Sequence, residues 1–212
     1  MRAGLLALAV GCGGGATLSG PKSVPPAAPA TPEEPAPQPD APGLDASAKA
    51  DLRVKRWRQL SLDLRGVLRL SEDALCRETG LYDCTDLHVV PLGGVSIENG
   101  LYAPRSDFSV TTGLALERVV LQACWNRLEL DRAGPAEVFT AVDLHATTVP
   151  APALDAQSTA LFRGFLARDP SAAELAGARA LAAEVESDGG TATEWSLALC
   201  FALGTSTEFL LY

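Results

Sequence analysis

Residues 169–204 read DPSAAELAGARALAAEVESDGGTATEWSLALCFALG, and this stretch determines the fold class. Ser171 with Glu174, and Thr191 with Glu194, have the spacing of capping boxes, in which two side chains cap the start of a helix reciprocally. The glycine pair between the two boxes ends the first helix, because glycine favours helix C-termini. Two helices joined by so short a turn pack side by side, so the stretch predicts part of a helical bundle.

Helical spacing of apolar residues recurs through the preceding chain. It predicts one helix over Lys49–Leu70, a short one from Ser71 to about Cys76, and the main core helix over Thr111–Leu130. Asp155 is placed to cap a further helix that runs to about Ala167. We therefore predict an all-α helical bundle, with a tryptophan as core anchor in each of three main helices: Trp57, Trp125 and Trp195.

Two connecting stretches interrupt the helical pattern. Pro135–Leu144 is predicted to form a short helix, since proline suits a first helical turn, and Thr147–Leu154 is predicted to be a connector. Residues 81–104 follow no clear period, although Asn99-Gly100 favours a type I′ hairpin turn between residues 95–97 and 101–102. We expect one irregular loop region with at most a small β-hairpin.

Four cysteines lie in the part of the chain that can fold: Cys76, Cys84, Cys124 and Cys200. An even number favours disulfides in an oxidising compartment, where three pairings are open. We expect Cys76–Cys84 to close the irregular loop and Cys124–Cys200 to join two helices. The alternative for the second pair is two buried free thiols. The chain has no C-x-x-C motif, which argues against a zinc ribbon, a thioredoxin-like site and attached c-type haem.

The N-terminus carries Arg2, an apolar run over residues 3–10, and then Gly11-Cys12. It resembles a bacterial lipoprotein signal, in which the cysteine is lipidated and becomes the mature N-terminus. The resemblance implies a signal segment over residues 1–12 and a lipid anchor on Cys12. A cleaved secretory signal without lipid and a plain apolar tail are the alternatives. The run is too short to cross a bilayer, which takes about 20 residues.

Residues 13–48 have the composition of a tether. Nine of the 15 prolines lie between Gly20 and Gly43, among alanines and a few acids, and such a segment cannot bury apolar surface. Proline-rich chain extends by about 3.1 Å per residue, so the tether reaches as far as roughly 100 Å. Residues 49–212 are then expected to form a single helical domain, exported and anchored in the bacterial cell envelope.

The charge distribution limits the partners. The net charge is −9, yet Lys49–Leu70 has seven basic residues against two aspartates, and Ser71–Tyr212 has eight against 20 acids. A chain this acidic repels phosphate backbones, so nucleic acid is not an expected partner. The basic helix either docks on its own acidic domain or contacts a membrane surface or a partner protein.

Three stretches are similar to a known class of domain. Ala160–Leu175, Gly204–Tyr212 and Lys55–Leu70 resemble the cytochrome-associated helical domains of unknown function in large secreted proteins of environmental bacteria. The resemblance implies a helical fold, and the function of those domains is itself unknown. The cytochrome part of those proteins is not matched, so no haem chemistry is implied.

The two histidines lie in identical tripeptides, Asp86-Leu87-His88 and Asp143-Leu144-His145. Brought together, Asp86, His88, Asp143 and His145 would be donors for a first-row metal ion. The alternative is two independent surface histidines. The chain contains no G-x-S-x-G, P-loop or G-x-G-x-x-G motif, so we assign no catalytic residue and no cofactor.

The sequence therefore favours a non-catalytic interaction or scaffold module, tethered to the envelope by its lipid and bound to another envelope protein. The alternative hypothesis is a metal-binding accessory or enzyme subunit that uses the two Asp-Leu-His tripeptides.

Cys12→Ser is expected to shift the exported protein from the membrane fraction to the soluble fraction, because a bacterial lipoprotein is held by lipid chains on that cysteine. Detergent-phase partitioning of cells that express either form measures the shift. The same partitioning for both forms would contradict lipidation.

Overall fold

The computed structural model describes residues 53–78, 80–95 and 109–212. These residues form a mainly helical bundle with one two-stranded antiparallel hairpin, which confirms the predicted fold class. The elements in chain order are α1 (Trp57–Leu68), α2 (Glu72–Leu75), β1 (Arg77–Glu78), β2 (Tyr82–Asp83), α3 (Cys84–His88), α4 (Val110–Ala133), α5 (Ala151–Leu166), α6 (Ala172–Ser187), α7 (Ala192–Gly204) and α8 (Thr207–Leu210).

Helix α4 lies at the centre of the bundle. It packs against α1, α2 and α7, while α5 packs against α6, α7 and α8. Val119, Val120 and Leu128 of α4 are fully buried in the core. Helix α7 approaches closely because Gly204 has no side chain: a Cβ there would lie 2.6 Å from Cγ1 of Val120. A larger residue at this position would push the two helices apart.

Both predicted capping boxes are present. Glu174 accepts the backbone N–H of Ser171 at 2.6 Å, and Ser171 Oγ accepts the N–H of Glu174 at 3.3 Å. At the start of α7, Glu194 accepts the N–H of Thr191 at 2.8 Å. Both helices also end where the glycines predicted, at Ser187 and Gly204.

Arg168 fastens the C-terminal turn to the α5–α6 junction. Its guanidinium donates to Glu174 at the start of α6 and to Glu208 of α8, with distances of 2.6 to 3.0 Å. Hydrogen bonds from Arg168 and from Ser171 lower the pKa of Glu174 to about 2, and Arg168 also lowers the pKa of Glu208. Both carboxylates therefore keep their charge, and their ion pairs with Arg168, to a lower pH than ordinary glutamates would.

Helix α1 begins later than the sequence predicts. Residues 49–52 lie outside the described residues, but residues 53–56 are not helical, and Arg56 is extended. They run beside the C-terminus: the N–H of Arg53 donates to the Tyr212 carbonyl at 3.0 Å, and the Tyr212 N–H donates back at 3.0 Å. Val54 pairs with Leu211 in the same antiparallel bridge. These backbone bonds outweigh the helical spacing of the side chains.

The predicted helix over Pro135–Leu144 is wrong. Three backbone N–H groups of this stretch, those of Glu137, Val138 and Phe139, donate to the carboxylate of Asp131 at 2.8 to 3.1 Å. Gln157 of α5 continues the pattern, since it accepts the N–H of Ala141 and donates to the Val138 carbonyl. The backbone groups are satisfied by side chains, so an irregular path needs no helix.

Helix α5 begins at Ala151, inside the stretch 147–154 that was predicted to be a connector. Pro150 precedes the helix and Pro152 lies in its first turn, where proline has no N–H bond to lose. Asp155 is therefore inside the helix and does not cap it. Its carboxylate pairs with Arg179 of α6, whose hydrogen bond lowers the pKa of Asp155.

Of the three predicted tryptophan anchors, two are in the core. Trp57 and Trp195 are buried, and the indole N–H of Trp195 donates to the Ala178 carbonyl at 3.0 Å. Trp125 is 42% exposed on α4, so the prediction for it is wrong. Trp125 follows the buried Cys124 on α4, but its exposure depends on tertiary packing, which helical spacing does not encode.

The two disulfides pair as expected. Cys76 joins Cys84 with a Cα–Cα distance of 5.5 Å, and Cys124 of α4 joins Cys200 of α7 with a distance of 6.0 Å. Both distances are ordinary for disulfides. The first bridge closes the β1–β2 hairpin, which the sequence did not predict. The hairpin predicted around Asn99-Gly100 lies outside the described residues apart from Val95.

Within the described ranges, none of the helices combines the length and the apolar character that crossing a membrane requires.

The long-range disulfide is expected to contribute more stability than the local one. The chain-entropy model gives about 4 kcal/mol or more for Cys124–Cys200 and roughly 2–3 kcal/mol for Cys76–Cys84. Replacing each pair by alanines in a Cys12→Ser background, followed by urea unfolding, tests the order. A larger loss for the local pair would contradict it, as would free thiols in the denatured, unreduced parent.

Asp131→Asn is expected to reduce the free energy of unfolding by about 3–5 kcal/mol, because it removes the buried carboxylate that lies 2.6 Å from the buried Arg127. The arginine then keeps only the longer contact of 3.6 Å with the half-exposed Glu137 among its ion pairs in the described structure. Asp155→Asn, which breaks the exposed pair with Arg179, is the matched control and should cost much less. Urea unfolding measures both. Equal losses would show that the buried carboxylate has no special structural role.

Candidate interaction surface

Asp86-Leu87-His88 forms the last part of the short helix α3, which begins at the disulfide-bonded Cys84. His88 Nε2 lies 2.5 Å from Glu78 Oε1, and Arg118 Nη1 of α4 lies 3.4 Å from the same oxygen. The His88 side chain is only 12% exposed. This histidine therefore has a structural role, because its bond to Glu78 holds α3 against the hairpin and α4.

The second tripeptide forms a surface turn before α5. Asp143 Oδ1 accepts the backbone N–H of His145 at 3.0 Å, and both side chains are exposed. Leu144 between them is buried, and its carbonyl accepts a hydrogen bond from Thr193 Oγ1 at 2.6 Å. The turn thus docks the connector on the start of α7.

The side chains that the structure describes contain no group of three or more His, Cys, Asp or Glu residues that could hold a metal ion. Cys84, four residues before His88, is bonded to Cys76 and is not available as a thiolate ligand. The structure thus gives the two histidines separate local roles, one in a half-buried pair with Glu78 and one on the surface.

A groove runs between α1 and the turn formed by residues 89–95. It has a volume of about 740 Å³, which lies within the range of small-molecule binding sites. Its lining combines arginines with apolar side chains and the glycines of the turn: Arg56, Trp57, Arg58, Ser61, Leu62, Arg65, Glu72, Val89, Gly93, Gly94 and Val95.

The turn that forms one wall depends on its two glycines. Gly93 has a φ of +74°, which side chains disfavour. At Gly94 a Cβ would lie 2.6 Å from the carbonyl oxygen of Val89, the oxygen that also accepts the Gly94 N–H. Any other residue at these positions would open the turn and change the shape of the groove.

The same turn is fixed to two helices through its carbonyl groups. The Leu92 carbonyl accepts the backbone N–H of Trp57 at 2.9 Å, where α1 begins. The Pro91 carbonyl accepts the hydroxyl of Thr112, near the start of α4, at 2.8 Å. The two bonds join the wall of the groove to the starts of α1 and α4.

Some basic side chains in and before α1 form contacts within the domain, and others are exposed in the groove. Lys55 pairs with Asp63 at 2.8 Å and lies 3.9 Å from the ring centre of Phe209, and Arg65 reaches Glu72 at 3.3 Å. These contacts fit the expectation that the helix docks on its own domain. The pair of Arg65 and Glu72 also lines the groove, where Arg56 and Arg58 are exposed.

Comparison of this chain with protein-family models, with curated proteins and with solved structures finds no match. The site is therefore defined by geometry alone.

Sequence reasoning missed the groove, although two of its signals are visible in the chain. One is the excess of arginine between residues 49 and 70, and the other is the Gly93-Gly94 pair. Neither signal shows that the turn packs beside α1, because that contact joins residues 35 positions apart through the Trp57–Leu92 hydrogen bond.

Proposed function

We propose that the protein is a non-catalytic interaction module of the bacterial cell envelope, and that its groove beside α1 binds an acidic, partly apolar segment of another envelope protein. The lipoprotein-like signal ending at Cys12 and the proline-rich tether over residues 13–48 support the location. The single observation that carries the binding proposal is the juxtaposition of exposed arginines with apolar side chains in one groove.

The chemistry of the groove selects its ligand. Arg56 and Arg58 present guanidinium groups, which recognise carboxylates through paired hydrogen bonds. Leu62 is 58% exposed and Val95 is 42% exposed, so covering them removes apolar surface from water. A segment that alternates acidic and apolar residues can pair with the arginines and also cover the apolar side chains. A purely acidic or purely apolar segment can do only one of the two.

The overall charge favours a peptide segment over an anionic bilayer as the ligand. Residues 71–212 contain 20 acidic residues against eight basic ones. An anionic bilayer is a broad surface, so much of this negative charge would repel it. A peptide in the groove lies within about 10 Å of the arginines, and charges beyond one Debye length are largely screened. The groove therefore attracts an acidic segment despite the acidic domain.

Peptide binding to the Cys12→Ser chain tests the proposal. The probe is a fluorescent 12-residue peptide of alternating glutamate and leucine, and its lysine–leucine analogue is the control. We expect the acidic peptide to bind measurably by fluorescence anisotropy and the basic analogue at least tenfold more weakly. Arg58→Glu should reduce the affinity at least fivefold, because it reverses one charge at the groove.

Arg77→Glu is the matched control variant, since it reverses the charge of an exposed arginine on the hairpin, away from the groove lining. It should change the affinity less than twofold. Equal losses of peptide affinity for the two variants would mean that only the net charge of the protein matters. Binding of the Cys12→Ser chain to anionic vesicles, and not to the peptide, would contradict the choice of ligand.

The metal-binding alternative has its own test. Stoichiometric zinc or iron in the purified protein that is lost in His88→Ala would favour that alternative.

A further inference from the structure

The α1 residues that line the groove include four that share one face of the helix. Arg58, Ser61, Leu62 and Arg65 follow one another at three, four and seven residues from the first, the spacing that places helical side chains on one face. An α-helix rises 1.5 Å per residue, so the two arginines are about 10 Å apart along the axis. This wall of the groove therefore presents two cations that flank one apolar side chain.

The two cations differ in what they contact. Arg58 is exposed, and its guanidinium forms no ion pair within the described ranges. Arg65 already holds a carboxylate, since its Nη1 lies 3.3 Å from Oε2 of Glu72. The Glu72 side chain is 77% exposed at the edge of the groove. One cation is thus open to a ligand, and the other is occupied by the protein's own acid.

The contact between Arg65 and Glu72 is a weak one. It is a single hydrogen bond from Nη1, whereas an arginine binds a well-placed carboxylate through two parallel N–H groups. The Nε–H of Arg65 is buried and has no acceptor in the part of the chain that the structure describes. Exposed ion pairs of this kind contribute little to stability. A ligand carboxylate can therefore replace Glu72 at small cost.

We infer that Glu72 is an internal competitor, which occupies at Arg65 the place of the second of two carboxylates that a bound segment carries. The inference rests on the proposed function, because it divides the same groove into two carboxylate sites. The first site is at Arg58, and the second is at Arg65. Leu62, between them, packs against the apolar residue of the segment.

This arrangement selects segments by the number and spacing of their acids. An extended chain rises about 3.3 Å per residue, so two acids three positions apart match the distance between the arginines. A segment with a single acid uses the site at Arg58 and leaves the pair of Arg65 and Glu72 intact. A segment with two acids displaces Glu72, whose carboxylate then returns to water.

Fluorescence anisotropy of two peptides with the Cys12→Ser chain tests the inference. The first 12-residue peptide has two glutamates three positions apart, with leucine between them, in a glycine–serine sequence. In the second peptide, glutamine replaces one of the glutamates. Glu72→Gln should raise the affinity for the two-acid peptide at least threefold, and it should change the affinity for the one-acid peptide less than twofold.

Asp73→Asn is the matched control variant. Asp73 is exposed in the same first turn of α2 but does not line the groove. Its replacement removes the same charge and the same interaction with the helix dipole, so both affinities should change less than twofold.

A second variant tests whether Glu72 acts through Arg65. Arg65→Gln should lower the affinity for the two-acid peptide to that for the one-acid peptide. Glu72→Gln should then add nothing in the Arg65→Gln background, because the two residues act at one site and their effects are not additive. A full gain from Glu72→Gln without the arginine would overturn the inference.

The remaining outcomes separate the inference from the proposed function. If the parent chain binds the two-acid peptide and Glu72→Gln binds it no more tightly, the inference is wrong and the groove still binds an acidic segment. Equal gains for Glu72→Gln and Asp73→Asn would also overturn the inference, since a general charge effect explains both. If neither the parent nor Glu72→Gln binds either peptide, the proposed function fails as well. Circular dichroism shows that each variant is folded.

Discussion

The buried pair of Arg127 and Asp131 is the interaction on which the rest of the bundle depends. Their side chains are 6% and 0% exposed, with Nη2 of the arginine 2.6 Å from Oδ1 of the aspartate. Such a pair adds little net stability, because burial removes both charges from water. Its importance is geometric. Arg127 also donates to the Arg69 carbonyl at the end of α1, and Asp131 holds the segment after α4. This ion pair therefore connects the end of α1, helix α4 and the segment that leads to α5.

Sequence patterns correctly predicted the features that depend on contacts between residues close together in the chain. The capping boxes at Ser171 and Thr191 involve atoms within three residues of each other, so the sequence identifies them directly. The helix predicted over Pro135–Leu144 was wrong because the backbone of this stretch is satisfied by side chains elsewhere in the chain, those of Asp131 and Gln157, the latter up to 19 residues away. Trp125 failed for a related reason: helical spacing identifies a face, but only the packing of other helices decides whether that face is covered. The groove depends in the same way on a distant contact between α1 and the 89–95 turn.

The region closed by the Cys76–Cys84 disulfide connects the groove with helix α4. His88 ends α3, and the wall of the groove begins one residue later. Glu78 of the hairpin pairs with His88 and also with Arg118 of α4. One carboxylate therefore joins the short helix before the groove to the central helix of the bundle.

The bridge between Arg53 and Tyr212 has a mechanical consequence. Any tension that reaches Arg53 from the preceding chain is first borne by the backbone bonds of residues 53–55 to residues 210–212. The next interactions along the chain are the hydrogen bond of Trp57 to the Leu92 carbonyl and the burial of the Trp57 side chain. The C-terminus therefore shares with the N-terminal side of the domain the load that would otherwise act on α1 alone.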